Sequence, residues 1–361
     1  MSRFSNFLNS SLDDNGQNNN WNLLRLFLAL IVLFGHFPSA AEVMYFIHQK
    51  LKLNFLDGDF AVKSFFIISG LLISSSYLNS KSFMKYSLKR FFRIYPPIVI
   101  TVTVVLLSSI YYGINEREYL LSVFNMLAFQ DMMPMVGGKI FNLPEHGRYY
   151  AHGAFWTLVV EVQFYILAPF LLFFKDKRYF HYISLILFLY SGYCSEVIHQ
   201  SYYSAETLNY ALSFRTSFFS FASYFLSGIY LKLFFDRIKK RKTFAFLILF
   251  SIPMFYDKFY GHILSPWIHS FSYPIVLAIL VLAVGLFIPA IKIKMPDVSY
   301  GVYIYHFPIF SITTAIGLNK LGNPYLEFFS IFGLCILFSL LSYYLIENKF
   351  INFAKKIKAS N

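Results

Sequence analysis

The sequence predicts an all-α, polytopic integral membrane protein of about ten transmembrane helices with both termini in the cytoplasm. Three observations carry that expectation. The chain is 57% hydrophobic and 21% aromatic with 14% charged residues, and its mean hydropathy is +0.54. Soluble domains lie nearer roughly 45–50% apolar and about 25% charged. Apolar runs long enough to cross roughly 30 Å of hydrocarbon recur from near the N-terminus to Asn348, leaving no long polar stretch for a separate soluble domain. Basic residues, finally, alternate with those runs in a way that follows membrane sidedness.

The elements follow in chain order. Residues 1–20, MSRFSNFLNSSLDDNGQNNN, are polar and carry Asp13 and Asp14, unlike the positive start of a cleaved signal peptide, and read as a short cytoplasmic tail. Residues 21–348 form one transmembrane domain, with candidate spans at 21–41, 58–78, 95–113, 153–174, 179–193, 213–235, 243–257, 269–290, 297–316 and 325–348. Residues 349–361 form a basic cytoplasmic tail. An even number of crossings returns the chain to the side on which it started. The connections then assigned to the cytoplasm hold Lys81, Lys85, Lys89, Arg90 and Arg93, then Lys175, Lys177 and Arg178, then Arg237 to Lys242, then Lys292 and Lys294. The outer connections hold few basic residues, which is the positive-inside pattern.

The segment 118–130, EYLLSVFNMLAFQ, is too short to span and would reverse every later connection if it did. It is therefore expected to be an interfacial or re-entrant helix on the outer side. It leads into the longest outer connection, 131–152, where Tyr149 and Tyr150 are candidates for stacking on a sugar.

Charge and cysteines exclude several functions. The formal charge of +13 invites a nucleic-acid partner, but its distribution tracks topology, so membrane lipids are the expected partners and nucleic acid is not. Cys194 and Cys335 lie at a helix exit and inside the last span, where a disulfide is not expected. No Cys or His cluster has zinc spacing and no GxxxxGK[ST] loop occurs, so neither a metal site nor ATP-driven chemistry is expected. No internal repeat of fixed period is visible.

Against this apolar background a few polar residues stand out. Arg25 and His36 are eleven residues apart in WNLLRLFLALIVLFGHFPSA, on one helix face to within about 20° and about 16 Å apart along the axis. A charged side chain inside a membrane costs about 2.5–3.5 kcal/mol on insertion scales, so such a pair points to a lined cavity. The second span contains FFIISG, with Ser69 before Gly70. KRFFRIYPP, with Arg90 and Arg93, precedes the third span. The fourth opens FWTLVVE, with Trp156 and Glu161, and the ninth opens SYGVYIYHFP, with His306.

Together these segments resemble the membrane acyltransferase 3 family. Its patterns are an R-x10-H first span, an FFxxSG second span, an RxxR at the inner end of the third, a W-S-L-x-x-E fourth and a late S-Y-x-x-Y-x-x-H-x-P. The match runs in order from Arg25 to Pro308 and covers nearly the whole chain. The resemblance implies transfer of an acyl group, usually acetyl, from cytosolic acyl-coenzyme A to a hydroxyl of an extracytoplasmic glycan, in a bacterial inner membrane. Acetyl-CoA is then a donor substrate and not a bound cofactor. The chain departs from the pattern at Thr157, which replaces serine but keeps a hydroxyl, and at Lys63, in AVKSFF, where many relatives have an acid in a GVDxFF context. A C-terminal hydrolase-like domain is not expected.

The depths of these residues fit acyl transfer across a membrane. His36 and Glu161 lie about 8 and 12 Å below the outer surface at 1.5 Å per residue. His36 is the candidate catalytic base or acyl carrier, and Glu161 the candidate carboxylate orienting it. Arg25, Arg90 and Arg93 are candidates for the phosphates of coenzyme A, whose geometry suits a guanidinium. Ser69, Trp156, Tyr149, Tyr150 and His306 are assigned to the acceptor or to support.

Each assignment has a structural competitor. Arg25 also fits snorkelling to headgroups, Arg90 and Arg93 fit the positive-inside rule, Glu161 fits as counter-ion of Lys63, and His306 fits as a packing hydrogen-bond hub. A transporter or flippase also uses intramembrane Arg, His and Glu, and a small lipophilic acceptor such as a macrolide is a further alternative.

Overall fold

The computed structural model describes residues 20–80, 82–111, 155–201, 217–238, 241–287, 296–318 and 322–356. Tyr149, Tyr150, the segment 118–130, the connection 131–152 and nearly all of the N-terminal tail lie outside the described residues. Among the described residues the regular structure is helical throughout.

Ten helices fall on the ten stretches that hydropathy singles out: α1 Asn20–His36, α2 Gly58–Leu78, α3 Phe83–Tyr111, α4 Phe155–Phe173, α5 Arg178–Ser201, α6 Phe218–Leu233, α7 Arg241–Tyr256, α8 Pro266–Phe287, α9 Ser299–Ala315 and α10 Pro324–Ser342. Among the described residues, four helices are long and apolar enough to cross a membrane: α2, α4, α8 and the run Pro324–Ala354 that continues α10. Trp21–His36 passes that test jointly with Ala41–Lys50, across a bend of 114°. Exposed stripes at helical spacing, Tyr182, Ile186 and Leu189 on α5 and Phe246, Leu249 and Phe250 on α7, are faces suited to lipid.

Local chemistry explains several boundaries. Asp57 caps α2, its carboxylate accepting from the Phe60 N–H at 2.8 Å. Asn323 caps α10 by accepting from the N–H groups of Tyr325 and Leu326, with Pro324 at the first helical position. The third helix begins at Phe83, twelve residues before the stretch expected from hydropathy, so KRFFRIYPP is helical and not a connection. Hydropathy finds the apolar part of a helix, whereas Lys and Arg are good helix formers that extend it beyond the hydrocarbon. Pro96 and Pro97 are accommodated inside α3, as prolines are in membrane helices when neighbouring groups satisfy the freed carbonyls. The first part of the expected basic tail is also helical, as α11 Asn348–Lys356, and its Phe350 stacks on Phe92 of α3 at 5.6 Å and 16°.

Two helix pairs position everything else. The contact between α2 and α6 is the most extensive among the described residues. Gly70 and Gly228 face each other there, and a Cβ built on Gly70 would lie 2.1 Å from the Phe225 carbonyl oxygen. Only glycine permits that approach, the small-residue packing common in membrane helices. Around the crossing the core is aromatic, with Phe164 stacked on Phe225 at 4.1 Å and 10° and Phe66 at 4.8 Å from Phe221. The second pair is α1 and α9. They run side by side in the same direction, because Arg25 meets Asp297 just before α9 and, further along both helices, His36 meets His306.

Candidate active site

Five helices, α1, α2, α3, α4 and α9, surround a cavity. Its polar lining comes from the elements singled out by sequence: Arg25 on α1, Ser69 on α2, Arg93 on α3, Glu161 on α4 and Tyr303 on α9. On α4, Thr157, Glu161 and Tyr165 recur every fourth residue, which places all three on one face.

At one end the cavity is held by an ion cluster. Arg25 Nη1 and Arg93 Nη2 both donate to Asp297 Oδ2, at 2.5 and 2.6 Å, and the Ser299 hydroxyl donates to Oδ1 at 2.5 Å. All three charged side chains are largely buried, at 15–21% exposure. Two guanidiniums meet on one carboxylate, at a place where both arginines also line the cavity. Such a cluster suits an anionic ligand such as a phosphate.

Further along the cavity the contacts become neutral or acidic. The Tyr165 hydroxyl donates to Glu161 Oε1 at 2.7 Å, and the Ser69 hydroxyl reaches the same oxygen at 3.4 Å. Thr157 and Tyr303 share a hydrogen bond of 2.6 Å, so the hydroxyl that replaces the family's serine is in use. Tyr303 then leads out of the cavity, its ring edge-on to that of His306 at 5.9 Å.

The far end holds two imidazoles. The rings of His36 and His306 stack at 5.2 Å and 24°, with Phe307 against both. His36, the last residue of α1, is exposed, while His306 is fully buried. His306 Nδ1 donates to the Tyr303 carbonyl at 2.6 Å, since a carbonyl only accepts. Nε2 is then the acceptor nitrogen, and among the described residues it has no hydrogen-bond partner.

The structure therefore regroups the residues expected from sequence. Arg25 and Arg93 come together, through Asp297. Arg90 is apart from them, buried, donating to the Ser76 hydroxyl at 2.9 Å. His36 and Glu161 do not meet: Glu161 is engaged by Tyr165 and Ser69, and the ring against His36 is His306. Similar depth fixes position along the membrane normal and leaves the azimuth open, and α9 rather than α4 lies beside α1 at this level. Lys63 pairs with Asp59 at 2.5 Å and has Tyr224 and Tyr273 rings nearby, so Glu161 is not its counter-ion. Trp156 packs on Phe221 at 5.6 Å.

Asp297 is the site residue that sequence reading missed. Its signal was present, an acid in the otherwise basic connection after Lys294, near the level at which Arg25 and Arg93 both need a counter-ion.

Comparison with known proteins follows the same lines. The model of the acyltransferase 3 family, described as an acyltransferase domain, matches residues 18–344. Nodulation protein 10 of Rhizobium leguminosarum bv. viciae is 26% identical over 335 residues, covering 85% of this chain and 87% of the relative. No solved structure matches the chain significantly.

Proposed function

The chain belongs to the acyltransferase 3 family of membrane acyltransferases, and from that premise we propose that it carries an acyl group, acetyl in the first instance, from cytosolic acyl-CoA to a hydroxyl of a surface polysaccharide or its lipid-linked precursor. The acceptor class covers O-antigen, capsule and exopolysaccharide, and the membrane is a bacterial inner membrane. The observation that carries the reading is the α1–α9 seam, with guanidiniums at one end, an imidazole at the other and a cavity beside it.

In this reading ten helices cross the membrane and both termini are cytoplasmic. The parallel course of α1 and α9 supports it, because crossing by all seven intervening helices, α2 to α8, returns the same direction, and an extra crossing at 118–130 would invert it. The Arg25 end then faces the cytosol. Arg25 and Arg93 hold the pyrophosphate of the donor, and the pantetheine arm runs beside Ser69, Glu161 and Tyr303 toward His36, about 16 Å further along α1. His36 takes the proton of the acceptor hydroxyl as its oxygen attacks the thioester carbonyl. The C–S bond breaks, and the imidazolium returns the proton to the coenzyme A thiolate. Attack by His36 itself, giving an acyl-histidine that the hydroxyl then cleaves, uses the same groups.

The test is donor-dependent acyl transfer by purified protein in liposomes, with glycan acceptor on one side and acetyl-CoA on the other. The wild type releases coenzyme A and acylates the glycan, while a folded His36→Ala variant loses at least about a hundredfold, the lower end of what a general base contributes. A wild type that neither binds nor consumes acetyl-CoA, or a His36→Ala variant as active as the wild type, overturns the reading.

A further inference from the structure

Two helices run past the expected spans on the side where the basic connections lie. The third starts at Phe83, ahead of its apolar stretch, and α10 continues into α11 as one run, Pro324–Ala354. They meet there: Phe92 stacks on Phe350 at 5.6 Å and 16°, and takes Phe353 edge-on at 5.5 Å and 89°. At 1.5 Å per residue, Phe92 and Phe350 lie about 5 and 3 Å beyond the expected span ends, and Lys89 and Lys356 about 9 and 12 Å beyond them. The headgroup layer is roughly 5–8 Å thick on each side, so the rings stand at the acyl boundary and the ammoniums at or just outside the phosphates.

Each of the two helices sorts its residues by face. Lys85, Lys89 and Phe92, spaced i, i+4 and i+7, share one face of α3, so the face that α11 stacks on is also a basic one. On α11 Phe350, Phe353 and Ala354 share one side, and Lys349, Asn352 and Lys356 the other. Phe350 and Phe353 stay 41% and 55% exposed despite their contact with Phe92, and Lys349 and Lys356 are exposed. Neither α11 nor the stretch Phe83–Pro97 contains an acidic residue. The positive-inside rule accounts for lysines on this side of the membrane, but not for their separation from half-exposed rings on the same short helix. A helix sorted in this way, with lysines clustered just beyond a membrane span, complements a negatively charged headgroup layer. We propose that α11 and the start of α3 form a docking surface for anionic phospholipid, Phe350 and Phe353 entering the acyl boundary while Lys349, Lys356, Lys85 and Lys89 meet the headgroup phosphates. A soluble anion would use the lysines and leave the rings in water, whereas an acidic lipid uses both. The surface lies outside the central cavity and does not depend on the acyl-transfer reading.

Native mass spectrometry of the purified full-length protein in detergent, titrated with phosphatidylglycerol and separately with phosphatidylcholine, gives the affinity for each lipid. A lysine at a charged membrane surface contributes about fivefold, so the wild type is expected to prefer phosphatidylglycerol by at least about tenfold. The double variant Lys349→Gln/Lys356→Gln loses roughly 25-fold for phosphatidylglycerol and nothing for phosphatidylcholine, while Lys349→Arg/Lys356→Arg keeps the preference. Phe353→Ser weakens both lipids alike, since the ring reads the acyl boundary and not the charge. A salt titration of the wild type needs no variant: the preference fades as added salt screens the lysines. The proposal is overturned if the wild type binds the two lipids equally, if the glutamine variant retains the preference, or if salt leaves it unchanged. It is overturned equally if millimolar inorganic phosphate displaces phosphatidylglycerol, the result expected of a site for soluble anions.

Discussion

The two helix contacts that organise this molecule work in opposite ways. Between α2 and α6 two glycines bring backbone against backbone, with no room for a methyl group. Between α1 and α9 the helices are joined at two stations, by an ion cluster at Arg25 and by stacked imidazoles at His36, and a cavity opens beside them. The dry contact carries Gly70 of the FFIISG segment, and the polar seam carries the Arg25–His36 spacing. Residues that look alike as sequence signals therefore divide into one that makes a rigid scaffold and others that present chemistry from it. The scaffold contact tolerates no added volume, because both neighbours are backbone, while the polar seam depends on its charge balance at the Arg25 end.

The largest expected effect comes from adding a single methyl group to the dry contact. A Cβ at position 70 would sit 2.1 Å from the Phe225 carbonyl oxygen, and at position 228 equally close to that of Ile67, so the helices must separate. Gly70→Ala is expected to cost more than about 3 kcal/mol, the usual upper range for overpacking against movable side chains. Folded yield in detergent and thermal unfolding check it. Wild-type stability in Gly70→Ala would mean that α2 and α6 do not approach as described.

Next comes the charge balance of the seam. Asp297→Asn keeps the shape and removes the anion that Arg25 and Arg93 share. With 15–21% exposure at the three side chains, the loss belongs at the low end of the range for breaking a buried pair, about 3 kcal/mol. Donor binding is expected to change as well, because the two guanidiniums lose the carboxylate that holds them together. Thermal unfolding and coenzyme A titration of the same preparation separate the two effects.

How much of this was legible in the sequence depends on what kind of signal each residue left. Arg25, His36 and Glu161 were visible because each interrupts an apolar run, and Gly70 because it closes a motif. Asp297 was hidden, since it is the first residue of the expected span 297–316, next to a basic connection, where a charge needs no explanation. Tyr165 was hidden for another reason: in a chain with 28 tyrosines, a hydroxyl at the right azimuth looks like any other. The pairing of His36 with Glu161 was misjudged because hydropathy orders residues by depth alone, and only the packing of α9 against α1 shows that His306 occupies that azimuth. The helical start of α3 at Phe83 was missed because hydropathy measures what lies in hydrocarbon and not where hydrogen bonding begins.

The far end of the seam offers a sharper test of the contrast, with a smaller effect. His306 is fully buried and its Nε2 has no partner among the described residues, so an apolar ring of similar shape removes an unmet acceptor as well as the Nδ1 contact to Tyr303. His306→Phe is expected to change stability by no more than about 1 kcal/mol, whereas His306→Ala, which leaves a hole under His36, costs about 2–4 kcal/mol. Thermal unfolding of the two variants side by side distinguishes a ring-packing role from a hydrogen-bonding one. Equal, large losses in both would place an essential hydrogen bond at Nε2 and make the two ends of the seam more alike than the geometry implies.

A cost smaller than that of His306→Ala is expected beside the seam, where α4 touches α9. Thr157 and Tyr303 share one hydrogen bond of 2.6 Å in a buried setting. Thr157→Val keeps the volume and leaves the tyrosine hydroxyl unpaired, at a cost of about 1–2 kcal/mol, and Thr157→Ser recovers it because serine supplies the same oxygen. Both residues line the cavity, so the valine variant is also expected to let the Tyr303 ring shift and to raise the KM for the donor more than it lowers kcat. Were kcat to fall instead, with KM unchanged, the Thr157–Tyr303 pair would belong with His36 in the reacting centre rather than with the walls that guide the donor, and the polar seam would be a single catalytic surface along most of its length.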